Sequence, residues 1–225
     1  MKHPAMEKKT VLLVGATGLV GGHILNHLLE NETYERVIAL SRSALPGAEA
    51  FSTLDNRIVD FGRPDEWRDQ VAADQTICAL GTTIKKAGSR EAFRQVDYEY
   101  PLMVARAALN AGSSHFLLVS AMGADANSSV FYNRVKGELE AAIFRLGFPR
   151  VSIFRPSLLL GDRREFRPGE AVGQVLGRWF GFAVPKRYRP VHARTVAAAV
   201  VRVAAADAAG NRVLASDAIA EWGAD

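Results

Sequence analysis

The sequence predicts an α/β protein built on a doubly wound parallel sheet of strand order 3-2-1-4-5-6, with a small C-terminal portion. The first observation behind this prediction is that short apolar, β-branched runs alternate with longer segments of helical periodicity. Such alternation requires crossovers that place helices on both faces of the sheet. The second observation is that the runs are almost continuously apolar, as strands covered on both faces must be.

The predicted elements follow one another in the order that such a sheet requires. Strands are predicted at 10–14, 36–40, 56–60, 76–80, 115–120 and 151–154, and helices at 19–31, 64–71, 89–111 and 129–147. After Phe154, a stretch rich in Arg, Pro and Gly is typical of a loop. Helices near 170–181 and at 193–208, and a short strand in "RVLAS", complete the prediction.

The composition is ordinary for a globular domain. The 225 residues suit one domain, and 48% of them are apolar. No apolar run approaches the roughly 20 residues that a membrane span requires, and the start "MKHPAMEKKT" lacks the apolar core of a signal peptide. The one cysteine, Cys78, excludes an internal disulfide and does not indicate an oxidising compartment. We therefore expect a cytoplasmic protein with no membrane partner.

Basic residues concentrate in the last third of the chain, although the net charge is only +4. Residues 150–212 hold 12 Lys and Arg against four Asp and Glu, whereas residues 1–149 hold 16 against 17. Such a patch could face an acidic partner or a phosphate-bearing ligand, or form a solvated surface. Nucleic acid is a further class of partner for a basic patch, but we do not expect it here.

The glycine-rich stretch "VLLVGATGLVGGHIL" links the first strand to the first helix. Gly15 ends the strand, and Gly18 and Gly21 follow at steps of three residues. In a turn of this spacing the first glycine permits the turn, the second lets the main chain approach a pyrophosphate, and the third lets helix and strand pack closely. The free N–H groups of residues 17–20 and the helix dipole would face the anion. We predict a dinucleotide site; the alternative is a glycine-rich turn without a ligand.

The end of the second strand, "LSRSAL", indicates which dinucleotide is bound. A carboxylate at this point would bind the 2′-hydroxyl of the adenosine ribose and repel a 2′-phosphate. The sequence has Ser41, Arg42 and Ser43 instead, and Arg42 can pair with a phosphate and stack on adenine. We therefore predict NADP(H), with NAD(H) less favoured. The alternative for Arg42 is an ordinary surface arginine.

Other strand ends are predicted to contact the cofactor, because the carboxyl ends of parallel strands share one edge of the sheet. The predicted contacts are Asp60 and Phe61 with the adenine, Leu80, Gly81 and Thr82 with the ribose, and main-chain atoms of Ser157 and Leu158 at the nicotinamide.

Three residues have the properties that carbonyl reduction requires. Tyr132 and Lys136 in "FYNRVKGELEAA" are four apart, and therefore lie on one face of a helix. A tyrosine phenol is a weak acid at neutral pH unless a nearby cation stabilises the phenolate, which Lys136 could do while also binding the nicotinamide ribose. Ser120, at the end of the fifth strand, would hold the substrate oxygen. The alternative is an exposed Tyr–Lys pair with no role in chemistry.

Five stretches in this order resemble those of an atypical short-chain dehydrogenase/reductase: "GATGLVG", "CALGTT", "VSAMGAD", "YNRVKGELE" and "FRPSLLLGDR…RPGE". More narrowly, the chain resembles the NADPH-binding Tat-interacting-protein group of oxidoreductase-like proteins over residues 10–215. The resemblance implies an NADP-binding Rossmann domain at 10–155, and the start of the sequence itself predicts a flexible tail at 1–9. The resemblance also implies a C-terminal substrate-pocket or lid portion at 156–225 that is integrated with the same domain.

The resemblance further implies a set of cofactor contacts. They are Gly15, Thr17, Gly18, Leu19, Val20, Arg42, Leu80, Gly81, Tyr132 and Lys136. Related enzymes often carry an asparagine in the helix after the fourth strand, where it helps a proton relay. The matching position here holds Asp97, and this departure weakens the case for a four-residue relay.

Two functions from different classes follow from these residues. The first is an NADPH-dependent reductase of a small carbonyl compound. The second is an NADPH-binding, redox-sensing regulatory protein with little or no turnover, which would have a protein partner. A sugar-nucleotide epimerase is a third alternative, although the short C-terminal portion leaves little room for a nucleotide sugar.

Other candidates have weaker support. Arg163, Arg164 and Arg167 could hold an acidic substrate or form a solvated face, and His192 precedes the last predicted long helix near the site. We expect no metal, because His23 and His27 have no evident third ligand.

Overall fold

The computed structural model describes residues 8–161 and 185–224, and its central feature is a parallel β-sheet. The strands are β1 Lys9–Val14, β2 Tyr34–Ser41, β3 Leu54–Ile58, β4 Gln75–Cys78, β5 His115–Val119, β6 Arg150–Arg155, β7 Leu159–Leu160, β8 Val191–His192 and β9 Arg212–Ala215. The main sheet has the order β3-β2-β1-β4-β5-β6-β9, and β7 pairs with β8 separately. The predicted order of the first six strands is confirmed, and the strand predicted in "RVLAS" extends the sheet.

Helices cover both faces of this sheet, as predicted. The α-helices in the described residues are α1 Leu19–Leu29, α2 Ile84–Ala87, α3 Arg90–Arg94, α4 Tyr100–Asn110, α5 Phe131–Arg145, α6 Ala193–Ala206 and α7 Ser216–Gly223. Helices α1, α6 and α7 pack on one face, and α4 and α5 pack on the other. The C-terminal helix α7 is an element that the sequence analysis did not predict.

Strand β1 shows how the apolar runs build two core layers. Successive side chains of a strand point to opposite faces. Val11 and Leu13 therefore pack with α1 and α6, whereas Leu12 and Val14 pack with α4. All four side chains are fully buried.

The predicted helix at 64–71 is wrong. The chain forms two short 3₁₀ turns instead, Pro64–Glu66 and Arg68–Gln70. Trp67 separates them, because its buried ring packs in the core and its Nε1–H donates to the Asp60 carbonyl at 3.0 Å. This anchor holds the connection close to the sheet, where tight turns fit better than a regular helix.

The predicted helix at 89–111 is helical throughout Arg90–Asn110, but a π-helical turn at Gln95–Glu99 interrupts it. The N–H of Tyr100 donates to the carbonyl of Gln95, five residues back. Pro101 offers the physical reason, because it has no N–H to donate to the Asp97 carbonyl as a regular α-helix requires. Turns of this type occur frequently at functional sites.

Some predicted segments lie partly or wholly outside the described residues. Strand β1 begins at Lys9, the last residue of the predicted tail, and residues 1–7 are outside the described part. The predicted helix near 170–181 and the candidates Arg163, Arg164 and Arg167 are outside it as well.

Charged residues meet at the amino edge of the sheet, and we call Lys9, His115, Arg150 and Asp207 the amino-edge cluster. Asp207 follows α6, accepts a hydrogen bond from Lys9 Nζ at 2.7 Å and pairs with Arg150. Burial would raise the pKa of the Asp207 carboxyl, but hydrogen bonds from Lys9 and Arg150 lower it to about 2. Burial, with a smaller contribution from Arg150, lowers the pKa of His115 to about 4.

Candidate functional site

The glycine turn has the geometry that its spacing predicts. Gly15 has a φ of +94°, and a Cβ there would lie 2.6 Å from the Ala79 carbonyl carbon, just past the end of β4. A Cβ on Gly21 would lie 2.0 Å from the Gly15 carbonyl oxygen. Glycine is therefore required twice, once for backbone conformation and once for the close approach of α1 to the turn.

The N-terminus of α1 is suited to an anion. Gly18 caps the helix without a side-chain hydrogen bond, and Thr17 and Gly18 are exposed. Leu19 is half-buried and Val20 is buried, so these two residues would contribute mainly their main-chain N–H groups. The first N–H groups of a helix have no intrahelical acceptor and carry the positive end of the helix dipole.

Arg42 lies just past β2 and is exposed, with no ion pair to another described residue. The loop that carries it is held by Asn56 of β3. The Asn56 Nδ2 donates to Ser41 Oγ at 2.7 Å, and the Asn56 Oδ1 accepts from the Leu45 N–H at 2.8 Å. Sequence analysis did not identify Asn56, although a polar residue inside a strand was a signal for it.

Asp60 and Phe61 follow β3, but they present different surfaces. The Phe61 ring is buried and stacks on Tyr100, with ring centroids 5.6 Å apart. Asp60 is exposed, and its Oδ1 accepts from the Gly62 N–H at 2.8 Å. At this strand end, a ligand could therefore contact mainly the Asp60 side chain and main-chain atoms.

The end of β4 approaches a buried carboxylate. Leu80 and Thr82 are half-buried, whereas Gly81 is exposed. The Thr82 N–H donates to Asp97 Oδ2 at 2.8 Å. A Cβ on Gly81 would lie 3.4 Å from Asp97 Oδ1 and 3.6 Å from Lys136 Nζ, so the main chain passes directly beside both groups.

Helix α5 places Lys136 at the same edge, one turn after Tyr132. Lys136 is 4% exposed, and its Nζ lies 2.7 Å from Asp97 Oδ1. Burial alone would lower the Lys136 pKa, but Asp97 and then Tyr132 outweigh it, and the pKa is raised. Tyr132 is half-buried, with its ring 5.5 Å from that of Phe93. The structure thus brings Lys136 together with Tyr132, and adds Asp97 as its counter-charge.

Ser120 has a different environment from the one that sequence analysis expects. Its hydroxyl donates to Glu140 Oε1 at 2.5 Å, and Glu140 is 3% exposed. Arg155 pairs with the same carboxylate, with its Nη2 2.5 Å from Oε2. We call Ser120, Glu140 and Arg155 the Glu140 cluster. Sequence analysis missed Glu140, although its position four residues after Lys136 places it on the same face of α5.

The remaining candidates make contacts within the chain. The Ser157 N–H donates to Ser216 Oγ at 2.7 Å, and the Leu158 carbonyl accepts from the Val191 N–H at 3.0 Å. His192 occupies the N-cap position of α6 without a side-chain capping hydrogen bond, and it is exposed.

Gly137 sits inside α5 for a reason that the structure shows. A Cβ there would lie 2.2 Å from the Ala126 nitrogen, so the loop between β5 and α5 crosses directly over it. This close crossing explains why a glycine is tolerated inside a helix at this point.

The fold and the glycine turn define this protein as a Rossmann-type dinucleotide-binding protein. The chain belongs to the NAD(P)H-binding family, whose profile matches residues 15–145. Within the described residues, no helix has the length and apolar character to cross a membrane.

Two relatives confirm the resemblance to the Tat-interacting-protein group. Protein HTATIP2 of Rattus norvegicus is 39% identical over 188 residues, which cover 80% of this chain and 77% of the relative. Protein fmp52, mitochondrial, of Aspergillus niger is 40% identical over 169 residues, which cover 72% of this chain and 71% of the relative. This is an oxidoreductase-like group.

Solved structures confirm the fold. The Bordetella bronchiseptica enzyme WbmH in complex with NAD+ matches with a TM-score of 0.70 at 17% identity, covering 93% of this chain and 76% of that chain. UDP-N-acetylglucosamine 4-epimerase from Methanobrevibacter ruminantium matches with a TM-score of 0.68 at 15% identity, covering 93% and 77%.

Proposed function

We propose that this protein is an NADPH-dependent oxidoreductase that reduces a small carbonyl compound. The observation that supports it best is the buried, ion-paired Lys136 ammonium one helical turn from Tyr132, at the edge where the glycine turn lies. A lysine in this position serves no packing purpose that an apolar residue would not serve better. Its charge is useful to a phenol that must give up and regain a proton.

Each residue has a stated part in the reaction. NADPH held by the glycine turn and Arg42 would supply the hydride that reduces the carbonyl carbon. The Tyr132 phenol donates its proton to the carbonyl oxygen, which yields the alcohol, and the Lys136 ammonium stabilises the phenolate that remains. Lys136 has further N–H groups with which to bind the nicotinamide ribose.

The preference for NADPH is part of the proposal. Arg42 supports it, because an exposed guanidinium with no ion pair to a described residue is available to a 2′-phosphate. The absence of an acid at Ser41–Ser43 supports it as well, because no carboxylate there repels the phosphate.

Ser120 completes the proposed site by holding the substrate oxygen. A serine hydroxyl has one proton, and in the structure that proton is donated to Glu140. Ser120 must therefore turn from Glu140 to the substrate before it can donate to a carbonyl. This requirement favours the second candidate, a regulatory protein that binds NADPH with little or no turnover.

The decisive experiment compares wild type with Tyr132→Phe. We expect wild type to oxidise NADPH with members of a panel of aldehydes and ketones, and the variant to lose about a thousandfold in turnover. Both should still bind NADPH, because the glycine turn and Arg42 are intact in each. Tyr98→Phe is the matched control, because Tyr98 is another half-buried helical tyrosine, with Arg94 packed over its ring rather than near Lys136.

One outcome contradicts the reductase, and another contradicts the role assigned to Tyr132. If no aldehyde or ketone of the panel supports NADPH oxidation, and NADPH releases a protein captured by this chain, the regulatory candidate is correct. If Tyr132→Phe keeps full turnover, the assignment of the proton donor is wrong.

The proposed location is the cytoplasm. The fungal relatives carry the word mitochondrial in their names, so the mitochondrion is the competing location. Fractionation of cells that express the full chain distinguishes the two.

A further inference from the structure

Asp97 is a fully buried carboxylate with one oxygen in an ion pair and the other in a hydrogen bond, and Oδ1 has no hydrogen-bond partner among the described residues. It is 0% exposed, its Oδ1 lies 2.7 Å from Lys136 Nζ, and its Oδ2 accepts from the Thr82 N–H at 2.8 Å. One side chain therefore joins helix α5 to the main chain at the end of β4. Both of those elements carry predicted cofactor contacts.

The local backbone places Asp97 between helix α5 and the end of β4. The residue lies in the middle of the π-helical turn at Gln95–Glu99, and that turn packs against α5. Next to it, the absent side chain of Gly81 leaves the Asp97–Lys136 pair separated from the site only by main chain. The ion pair is thus buried, but it is not remote from the proposed ligand.

A buried ion pair requires an explanation, because removing two charges from water opposes folding. An apolar pair of similar volume would often serve stability as well. A lysine that acts on a ligand, however, must keep its proton, and burial without a counter-charge would remove it.

We propose that Asp97 is a positioning residue, which keeps the Lys136 ammonium charged and fixes the Gly81–Thr82 main chain beside it. This inference rests on the proposed function, because it is there that Lys136 serves Tyr132 and the cofactor. Asp97 itself touches neither substrate nor cofactor and acts through Lys136 and Thr82.

The groups that face Lys136 determine how it responds to pH. They are Asp97 from the π-helical turn, Tyr132 from α5 and Cys78 from β4. Burial lowers the Lys136 pKa, whereas Asp97 raises it most among these neighbours. In Asp97→Asn the side-chain amide oxygen can still accept from the Thr82 N–H. The Asp97 charge, however, no longer opposes the effect of burial on the Lys136 pKa. The ammonium should then be lost at a lower pH than in wild type.

The test is an NMR titration of protein labelled with ¹³C at the lysine Cε atoms. Lys136→Met identifies the Lys136 signal by its disappearance. In wild type we expect that signal not to titrate below about pH 10, and in Asp97→Asn we expect its midpoint to fall by about one pH unit or more. Asp97→Glu, which restores the charge, should return it towards the wild-type value.

Glu138→Gln is the matched control. Glu138 is a partly exposed carboxylate on the same helix, two residues from Lys136, and it pairs with Arg94. Removing its charge should leave the Lys136 signal unchanged. A purely general effect of net charge would move the signal in both variants.

NADPH affinity gives a second readout that needs no substrate. We expect Asp97→Asn to weaken binding about fivefold at about pH 9 and much less at about pH 7, whereas wild type should show no such dependence. Asp97→Ala, which also loses the Thr82 contact, should bind more weakly at both pH values.

An unchanged Lys136 midpoint in Asp97→Asn would overturn the inference. If Asp97→Asn does not fold, Asp97→Glu becomes the deciding variant. A lowered Lys136 midpoint in Asp97→Glu, which keeps the carboxylate, would also overturn the inference. Neither measurement depends on turnover. A lowered midpoint in a protein that reduces no carbonyl would uphold the role of Asp97 and reject the reductase.

Discussion

Ion pairs lie at both edges of one sheet, but their burial and their surroundings differ, because the Lys9 and Asp207 side chains are 26% and 30% exposed whereas Lys136 and Asp97 are buried. At the amino edge, Asp207 binds Lys9 and Arg150, side chains that begin β1 and β6. At the carboxyl edge, the Lys136–Asp97 pair lies beside exposed Gly81. The comparison teaches that an ion pair at a sheet edge does not by itself mark a site. Burial of the pair beside exposed, glycine-lined main chain distinguishes the carboxyl edge, where the candidate site lies.

The Glu140 cluster tests that distinction most severely, because it lies at the carboxyl edge yet resembles the amino-edge cluster in its contacts. Glu140→Ala would leave the Arg155 guanidinium without its partner. We expect a loss of about 3 kcal/mol in the free energy of unfolding, at the low end of the range for buried pairs because Arg155 is one-third exposed. Urea denaturation measures it.

Glu138→Ala is the control for that experiment. It breaks a partly exposed pair with Arg94 on the same helix, and should reduce the free energy of unfolding by about 1 kcal/mol or less. Equal losses in the two variants would show that the Glu140 cluster is no more important than a surface pair.

The amino-edge cluster predicts a dependence of stability on pH. The His115 pKa is lowered to about 4 in the folded protein, so between that pH and the reference pKa of about 6.5 the unfolded chain binds more protons. The stability is fully present above about pH 6.5 and falls by about 3 kcal/mol as the pH drops to about 4. Thermal unfolding across this window measures the loss.

His115→Gln should remove most of that dependence, whereas His192→Gln, at an exposed histidine, should retain it. Neither variant should change NADPH binding at neutral pH. A large change in NADPH affinity in His115→Gln would show that the amino edge also contributes to NADPH binding.

Two adjacent glycines of α1, Gly21 and Gly22, differ in how closely a Cβ on each would approach the glycine turn at the carboxyl edge. Gly21→Ala places a Cβ 2.0 Å from the Gly15 oxygen, whereas Gly22→Ala places one 3.5 Å from the Ala16 oxygen. We expect Gly21→Ala to lose about 2 kcal/mol of stability together with NADPH binding. Gly22→Ala should gain about 0.5 kcal/mol, because alanine favours a helix interior. Loss of binding in both variants would mean that the turn does not depend on the close approach at Gly21.

The smallest expected effect concerns Arg42. Arg42→Ala should raise the dissociation constant for NADPH about tenfold, or about 1.4 kcal/mol, and leave that for NADH almost unchanged. Arg36→Ala, at an exposed arginine of β2 that pairs with Asp55, is the control and should alter neither. Equal losses for both nucleotides would show that Arg42 does not contact the 2′-phosphate.

Much of the fold could be predicted from the sequence, because its signals are local. Apolar runs marked five of the six strands, and the glycine spacing marked the turn after β1. The edge strand β3 is largely polar and half-buried, and it begins at Leu54, two residues before the predicted 56–60. The interruption of the helix at Gln95–Glu99 was missed, although Pro101 was the signal for it. The turns around Trp67 were missed because they depend on a tertiary anchor, which no local pattern reports.

The candidate site was predictable to the extent that its residues share an element. Tyr132 and Lys136 are on one helix, and their spacing sufficed. The pairing of Lys136 with Asp97 joins residues from different elements, and only the topology of the fold brings them together. The direction of the Ser120 hydroxyl depends on Glu140, whose spacing from Lys136 indicates its face of α5 but not its contact with a residue of another element.

The contact between Lys9 and Asp207 closes a span of 198 residues. Lys9 is therefore synthesised 198 residues before its carboxylate partner. The charge of Lys9, the first residue of the strand that carries the glycine turn, is therefore paired with Asp207 only after the intervening chain has been made. Contacts so distant in sequence slow folding, and a nascent chain stalled before α6 would lack this closure entirely.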